Sequence, residues 1–528
     1  MERRWQVVVA MSGVMVLLTL DFFGLTVALP KIGEDLKAST TSLLWVINGY
    51  LLVFAAPIIA MGRLADIVGR RKIVLIGIVI FVSGSAACAA APSDTFLIGA
   101  RLVQGLGGAM IFATSLSIVS NAFPPDQRAA AIGVWSGVGL VGSAIGPFVA
   151  GLLTQVASWR WFFFINVPIG VAVILLTLRS VEESRDETFH GRIDWTGFVT
   201  ITAGFILLIL GLQDSAQEGW TSPLILASLA GAAVLLIAFF VTELRVRDPL
   251  VDFSLFRTSR YAGASVVAWI GNWMFGSILF FLTLYLQEVL DLSPIEAGVA
   301  FLTFTIPLVV ISPVSGRMVA RHGAQQLMAL GMALIAGGLV AFAVIGPTGG
   351  LPLAIVGLVI TGFGQGFAFN ISNTAGMEAI DEQKAGVAAG VLSSARLMGI
   401  VVGLAISGAL FKALENRALI HKFMAAGGQL TGADKDEIRG LLSGSDAAIH
   451  KLATLAPHLR DQIEGIVNQS FVQGLRGVMI LSIVLSALSV PVALWGRTRR
   501  AGQPHLHLPH LAHPLWPGLW RHSGPPQH

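Results

Sequence analysis

The sequence predicts an all-α integral membrane protein of fourteen transmembrane helices. Three observations predict it: a shortage of charged residues, fourteen apolar runs of spanning length, and basic residues confined to alternate loops. Of 528 residues, 55% are hydrophobic and only 12% are charged. A soluble domain carries about 25% charged residues. Half that share cannot clothe so long a chain in water, so lipid must be the solvent for most of it. Glycine, at 59 residues, suits helices that must approach closely where no apolar driving force acts between them. The formal charge of +4 comes from basic loop residues and gives no reason to expect nucleic acid. The single cysteine, Cys88, lies in an apolar run, so no disulfide framework is expected.

The first run, 7–29, follows Arg3-Arg4. It has roughly the 20 residues a spanning helix needs, exceeds a signal-peptide core, and precedes no small-residue cleavage site. It reads as a permanent span. Runs follow at 43–62, 73–92, 95–119, 131–156, 162–178, 195–212, 223–242, 262–287, 297–316, 325–346, 351–373, 386–411 and 474–496.

Arg63, Arg70, Arg71, Lys72, Arg128, Arg179, Arg245, Arg317 and Arg321 all fall in loops on one side, whereas the opposite short loops hold only Lys31, Lys37 and Arg160. The positive-inside rule then places both termini in the cytoplasm of a multi-pass protein of the cytoplasmic (inner) membrane. One external loop, 412–472, is long, and its segments Ala433–Leu442 and Ala456–Val467 have helical spacing of charge and apolar residues. They are expected to form short amphipathic helices over the outer face. The tail, 501–528, is rich in proline and histidine, without apolar periodicity; it reads as a disordered terminus rather than a metal site.

The chain repeats itself at an interval near 254–261. Gly62-Arg63-Leu64-Ala65-Asp66 reappears as Gly316-Arg317-Met318-Val319-Ala320, Gln104-Gly105 as Gln365-Gly366, and Gly142, Gly146 and Gly151 as Gly399, Gly403 and Gly408. Spans 1–6 and 9–14 are thus parallel repeats, with spans 7 and 8 inserted. The expected organisation is an N-terminal six-helix bundle (1–180), the inserted helices with flanking loops (181–260), a C-terminal six-helix bundle (261–500), and the tail. Such repeats place a substrate site at their interface near the bilayer midplane and rock to alternate its access.

Several strings resemble those of a known family. Span 1 ends Leu20-Asp21-Phe22-Phe23-Gly24-Leu25-Thr26-Val27-Ala28-Leu29-Pro30, and Gly62 to Lys72 reads GRLADIVGRRK. Span 4 carries Arg101, Gln104, Gly105 and Gly107; span 5 carries Gly142, Gly146, Pro147 and Gly151; span 6 opens Trp159-Arg160-Trp161 and continues to Ile165-Asn166-Val167-Pro168. These resemble the first-helix, loop, fourth-helix and exporter motifs of the major facilitator superfamily, in particular its fourteen-helix drug:proton antiporter branch. The resemblance implies two MFS bundles and proton-coupled export (antiport) of small lipophilic compounds or drugs. It implies no cofactor, a proton gradient as the energy source, and a monomer with no obligatory protein partner. The same fold could move lipids or import a metabolite; a membrane receptor or sensor is a more distant alternative. No nucleophile–base pair or phosphate-binding loop supports an enzyme.

Asp21 is the only acid well inside a predicted span. A charge at the bilayer centre costs roughly 2.5–3.5 kcal/mol on insertion scales, so it must face a cavity or a partner. Asp21 is therefore the candidate proton carrier between the two halves, and Arg101, which cannot deprotonate, its fixed tuning charge. A static ion pair of the two is the bland alternative. Gly62, Arg63, Asp66, Gly69, Arg70 and Arg71 form a candidate conformational latch, with Asp66 able to reach Arg70 across one turn or to cap a neighbouring helix. Gly142, Gly146 and Pro147 are candidates for close packing and gating. Gln104, Trp269, Asn272, Trp273, Phe280, Gln365 and Arg396 are candidates for the substrate cavity. One internal acid against two arginines disfavours polycations and favours neutral, zwitterionic or anionic lipophilic cargo. Glu288 and Glu378, near span ends, are expected to face water.

Overall fold

The computed structural model describes residues 2–55, 57–185, 194–246, 249–380, 385–425 and 457–495. Among these, thirteen helices are long and apolar enough to cross a membrane, and a bent pair makes fourteen. Span 1 is Arg3–Leu36. Span 2 is Thr40–Ala55 and Ile58–Val68, whose axes differ by 48° around Pro57, as expected where proline removes a ladder hydrogen bond. Spans 3 to 5 are Arg70–Ala89, Asp94–Ala122 and Pro125–Val156, and span 6 is Trp159–Phe164 with Asn166–Ser180. The inserted spans 7 and 8 are Trp195–Glu218 and Pro223–Glu243.

Span 9, Ser259–Ser277, continues through two π-type turns, Ile278–Leu282 and Tyr285–Val289. Spans 10 to 14 are Pro294–His322, Ala324–Val344, Leu351–Met377, Ala385–Ala425 and Pro457–Leu494. Local chemistry sets the ends. Ser93 caps span 4 by accepting from Phe96 N at 3.2 Å, and Ser293 with Glu296 forms a capping box on span 10.

The repeat governs the packing. In the first half span 1 packs on spans 4, 5 and 6, span 2 on span 4, and span 3 on spans 4 and 6; spans 9 to 14 repeat the same pairings in the second half. The halves meet along two equivalent seams, span 5 against span 10 and span 13 against span 2. Spans 7 and 8 pack on each other, and span 7 also touches spans 2 and 13.

One expectation needs correction. The loop predicted over 412–472 is largely helix at both ends, because span 13 runs on to Ala425 and the last helix starts at Pro457. The segment expected as a separate helix over 456–467 is the first turns of that last helix. Beyond the bilayer a helix no longer needs apolar residues all round, so hydropathy ends before the helix does. The segment 433–442 and the tail 501–528 lie outside the described residues.

Candidate functional site

Span 1 carries Asp21 to mid-helix, where it is fully buried, and span 4 brings Arg101 to face it at 1% exposure. Arg101 Nη1 donates to Asp21 Oδ2 at 2.6 Å and to Gln104 Oε1 at 2.7 Å. Gln104 Nε2 donates to Asp21 Oδ1 at 2.9 Å, and Asn166 Nδ2 reaches the same oxygen at 3.3 Å. Asn166 also donates to Ser85 Oγ at 3.0 Å. Arg101 Nε donates to Val46 O at 3.2 Å, and its guanidinium lies 4.0 Å from the centre of the Tyr50 ring. The carboxylate thus accepts three hydrogen bonds and has one counter-ion. A buried pair repays its desolvation only under such saturation.

This geometry corrects the predicted setting. Asp21 does not stand between the halves; its partners come from spans 4 and 6 of its own half, with Ser85 of span 3 behind Asn166. Arg101 is the member that reaches the interface. It lines a cavity of about 10 Å³, enclosed also by Phe22, Leu25, Thr26 and Ile47 of the first half and Gly276, Leu279, Ile400 and Leu404 of the second. That is space for about one water molecule.

The halves close tightly at the end where spans 1, 5 and 9 finish, the expected external end. A Cβ at Gly151 would overlap the Pro294 carbonyl, and one at Gly298 would lie 2.7 Å from Pro147 O. Gln155 Oε1 accepts from Ile295 N at 3.2 Å, and Gln287 Nε2 donates to Val27 O at 2.9 Å. Gly142 and Gly146 serve packing inside the first half: a Cβ at Gly142 would overlap the Thr19 hydroxyl, while Gly146 abuts Phe23 and Gly24. Pro147 leaves span 5 unbroken and presents its carbonyl to span 10.

The loop motif makes a defined network. Arg70 Nε donates to Asp66 Oδ1 at 2.8 Å, and Arg63 Nη2 donates to Pro249 O at 2.8 Å, beyond the inserted spans. Arg71 N donates to Glu183 Oε1 at 3.0 Å and Arg71 Nη2 to Leu178 O at 2.9 Å. Gly69 has φ of +128°, and the Glu183 carboxylate occupies the space a Cβ there would need. Gly62 faces open space apart from Ala113 at 3.9 Å. Asp66 and Arg70 remain partly solvent-accessible. Asp66→Asn is therefore expected to cost about 1 kcal/mol or less in stability, and a thermal-shift assay of detergent-purified protein checks this.

The span 9 residues expected to line the substrate cavity instead pack within the second half. Trp273 is packed on Gly403 and donates to Ser407 Oγ at 3.0 Å, within the second half. Phe280 is fully buried against Phe281, and Asn272 donates back to Ala268 O at 2.8 Å. Trp269 stands edge-on to Trp273 and its backbone abuts Gly399. Gln365 is buried near Gly271. Arg396 is buried against span 12. In this conformer Trp273 ties span 9 to span 13, and the ring that reaches span 13 beyond it is Phe281, against Phe411, rather than Phe280.

Glu378 has an exposed side chain, whereas Glu288, expected to face water, has exposed surface but is closely surrounded, with Glu415, Lys412 and Glu34 as its charged neighbours. Asp21 is not the only buried acid within the helices, however. Glu415 lies in the unforeseen extension of span 13, paired with Lys412 at 2.9 Å, and Glu243 ends span 8 at 4% exposure. Sequence reasoning did not assign Tyr50, Ser85, Asn166 or Glu183 to the site. Asn166 lay inside a quoted motif, and its amide in an otherwise apolar helix was the available signal.

Residues 11–404 match the profile of the Major Facilitator Superfamily. The chain is 30% identical over 496 residues to the tetracenomycin C resistance and export protein of Streptomyces glaucescens, covering 94% of this chain and 92% of that protein. It is 34% identical over 395 residues to multidrug resistance protein Stp of Mycobacterium tuberculosis, covering 75% and 73% respectively. A bacterial homologue of the human lysosomal transporter Spinster, solved in an inward-facing, occupied conformation, shares the fold with a TM-score of 0.64 at 17% identity; the match covers 94% of this chain and 97% of that one. With the family profile spanning most of its length and two matching six-helix halves packed about paired seams, the chain belongs to the Major Facilitator Superfamily.

Proposed function

We propose that this protein exports small lipophilic compounds across the cytoplasmic membrane in exchange for protons, acting as a monomeric transporter rather than an enzyme, with both termini in the cytoplasm. The relatives named for antibiotic export and multidrug resistance support the direction and the kind of cargo. The observation that carries the coupling is the sealed Asp21–Arg101 pair, whose basic member borders the cavity between the halves.

A proton reaching Asp21 removes the negative charge while leaving Arg101 positive. In a low-dielectric site that change is felt strongly and at short range. Arg101 keeps its bonds to Gln104 Oε1 and Val46 O but loses its counter-ion, so the wall it presents to the second half becomes net positive. Protonation thereby biases the packing of the halves without a bound cofactor, the gradient supplying the energy. An arginine, unlike a lysine, stays charged throughout such a cycle.

The test is purified protein in proteoliposomes carrying an internal pH-sensitive dye. Adding a transported dye across a preset gradient is expected to produce proton movement opposite to the dye, in proportion to its flux. Dye flux with no accompanying proton movement would overturn the exchange.

A further inference from the structure

Two arginines are more than nine-tenths buried among the described residues, Arg101 and Arg396. Arg101 has Asp21; Arg396 has no carboxylate close enough to pair with it among those residues. Its Nη2 donates to Phe369 O at 2.7 Å and Ser372 Oγ at 3.1 Å, and the guanidinium sits 4.4 Å from the centre of the Phe369 ring. Its Nε is buried without an acceptor. A carbonyl, a hydroxyl and an aromatic face offer dipoles to a cation but no opposite charge. A merely structural anchor would leave neither a donor nor a full charge unmatched in the hydrocarbon region.

Its position gives the unmatched charge a purpose. Arg396, Ile400 and Leu404 are spaced four residues apart and so lie on one stripe of span 13. Ile400 and Leu404 line the cavity between the halves, across from Phe22 and Ile47. Arg396 is thus one turn from that cavity, on the side away from the closed end. Phe369 lies beneath the guanidinium, and one turn along span 13 the backbone of Trp269 on span 9 abuts Gly399.

We propose that the cargo binds as a monoanion, its carboxylate or phenolate pairing with Arg396 and its flat apolar body lying among the aromatic side chains. The preferred substrates are accordingly aromatic weak acids. The proposal rests on the export reading above and narrows it to a charge class. Arginine suits it because its planar donors match a carboxylate, and its charge persists in a dry site.

The test measures binding with equal pH on both sides of a nanodisc, so it does not depend on proton coupling. The probes are 9-anthracenecarboxylate and 9-anthracenecarboxamide, which share a ring system and differ in charge, followed through quenching of protein tryptophan fluorescence. Wild type is expected to bind the carboxylate at least about tenfold more tightly, equivalent to roughly 1.4 kcal/mol. Arg396→Gln is expected to erase the preference, and Arg396→Lys to keep a reduced one. That contrast separates recognition of charge from general damage to the fold. Equal affinities in wild type, no binding of either probe, or a preference surviving Arg396→Gln would each overturn the proposal while leaving the proton-exchange reading standing.

Discussion

Asp21→Asn is expected to reduce efflux driven by a pH gradient at least about tenfold, a barrier change of roughly 1.4 kcal/mol or more. Exchange of labelled for unlabelled dye at symmetric pH should persist. The amide keeps the shape of the carboxyl and an oxygen for Arg101, but it cannot gain and lose a proton. It also leaves Arg101 buried without its counter-ion, and breaking a buried pair on one side costs about 3–5 kcal/mol. The double variant Asp21→Asn/Arg101→Gln removes both charges, and such replacements are often neutral or stabilising. It should therefore melt higher than the single variant and remain equally unable to use the gradient. Gradient-driven efflux at the wild-type rate in either variant would remove Asp21 from coupling.

The second large effect concerns the closed end. Gly151→Leu puts a branched side chain where the Pro294 carbonyl stands. The obstacle is backbone, so it cannot swing aside, and spans 5 and 10 must separate. Overpacking of this kind costs typically about 1–3 kcal/mol, borne by this conformer and relieved in one that parts the two spans. Transport is expected to stall with the expected external end open. The readout is labelling of Thr26→Cys by a membrane-impermeant maleimide added from outside, Thr26 being a wall of the buried cavity. Cys88, the only native cysteine, is fully buried and adds little background. Labelling in Gly151→Leu should rise roughly tenfold, the population shift that about 1.4 kcal/mol produces. Unchanged labelling would show that the glycine contact does not hold the end closed.

The spans were legible because hydrocarbon imposes a simple rule on every residue it touches. The Asp21–Arg101 pair was legible for the same reason, since two charges stranded in apolar helices have few other ways to be tolerated. Its placement inside one half was not legible, because sequence shows which helix carries a group but not which face it turns to. Tyr50 and Ser85 stayed hidden because single hydroxyls in apolar helices leave no periodic trace, whereas the Asn166 amide was a signal passed over. Trp273 and Phe280 misled because an aromatic residue is equally at home against ligand, lipid or a glycine such as Gly403. The outer ends of spans 13 and 14 were missed where the chain leaves the bilayer and polar residues return on every side.

Span 7 rests on both span 2 and span 13, which is one of the two lines along which the halves touch. A cleft between two rocking bodies can admit molecules sideways from the lipid, and the two lines would ordinarily offer a doorway each. The inserted hairpin curtains one of them. Under the proposed export, sideways entry of apolar compounds would be left with the threshold between spans 5 and 10, so the molecule is lopsided toward its lipid surroundings even though its halves are built alike.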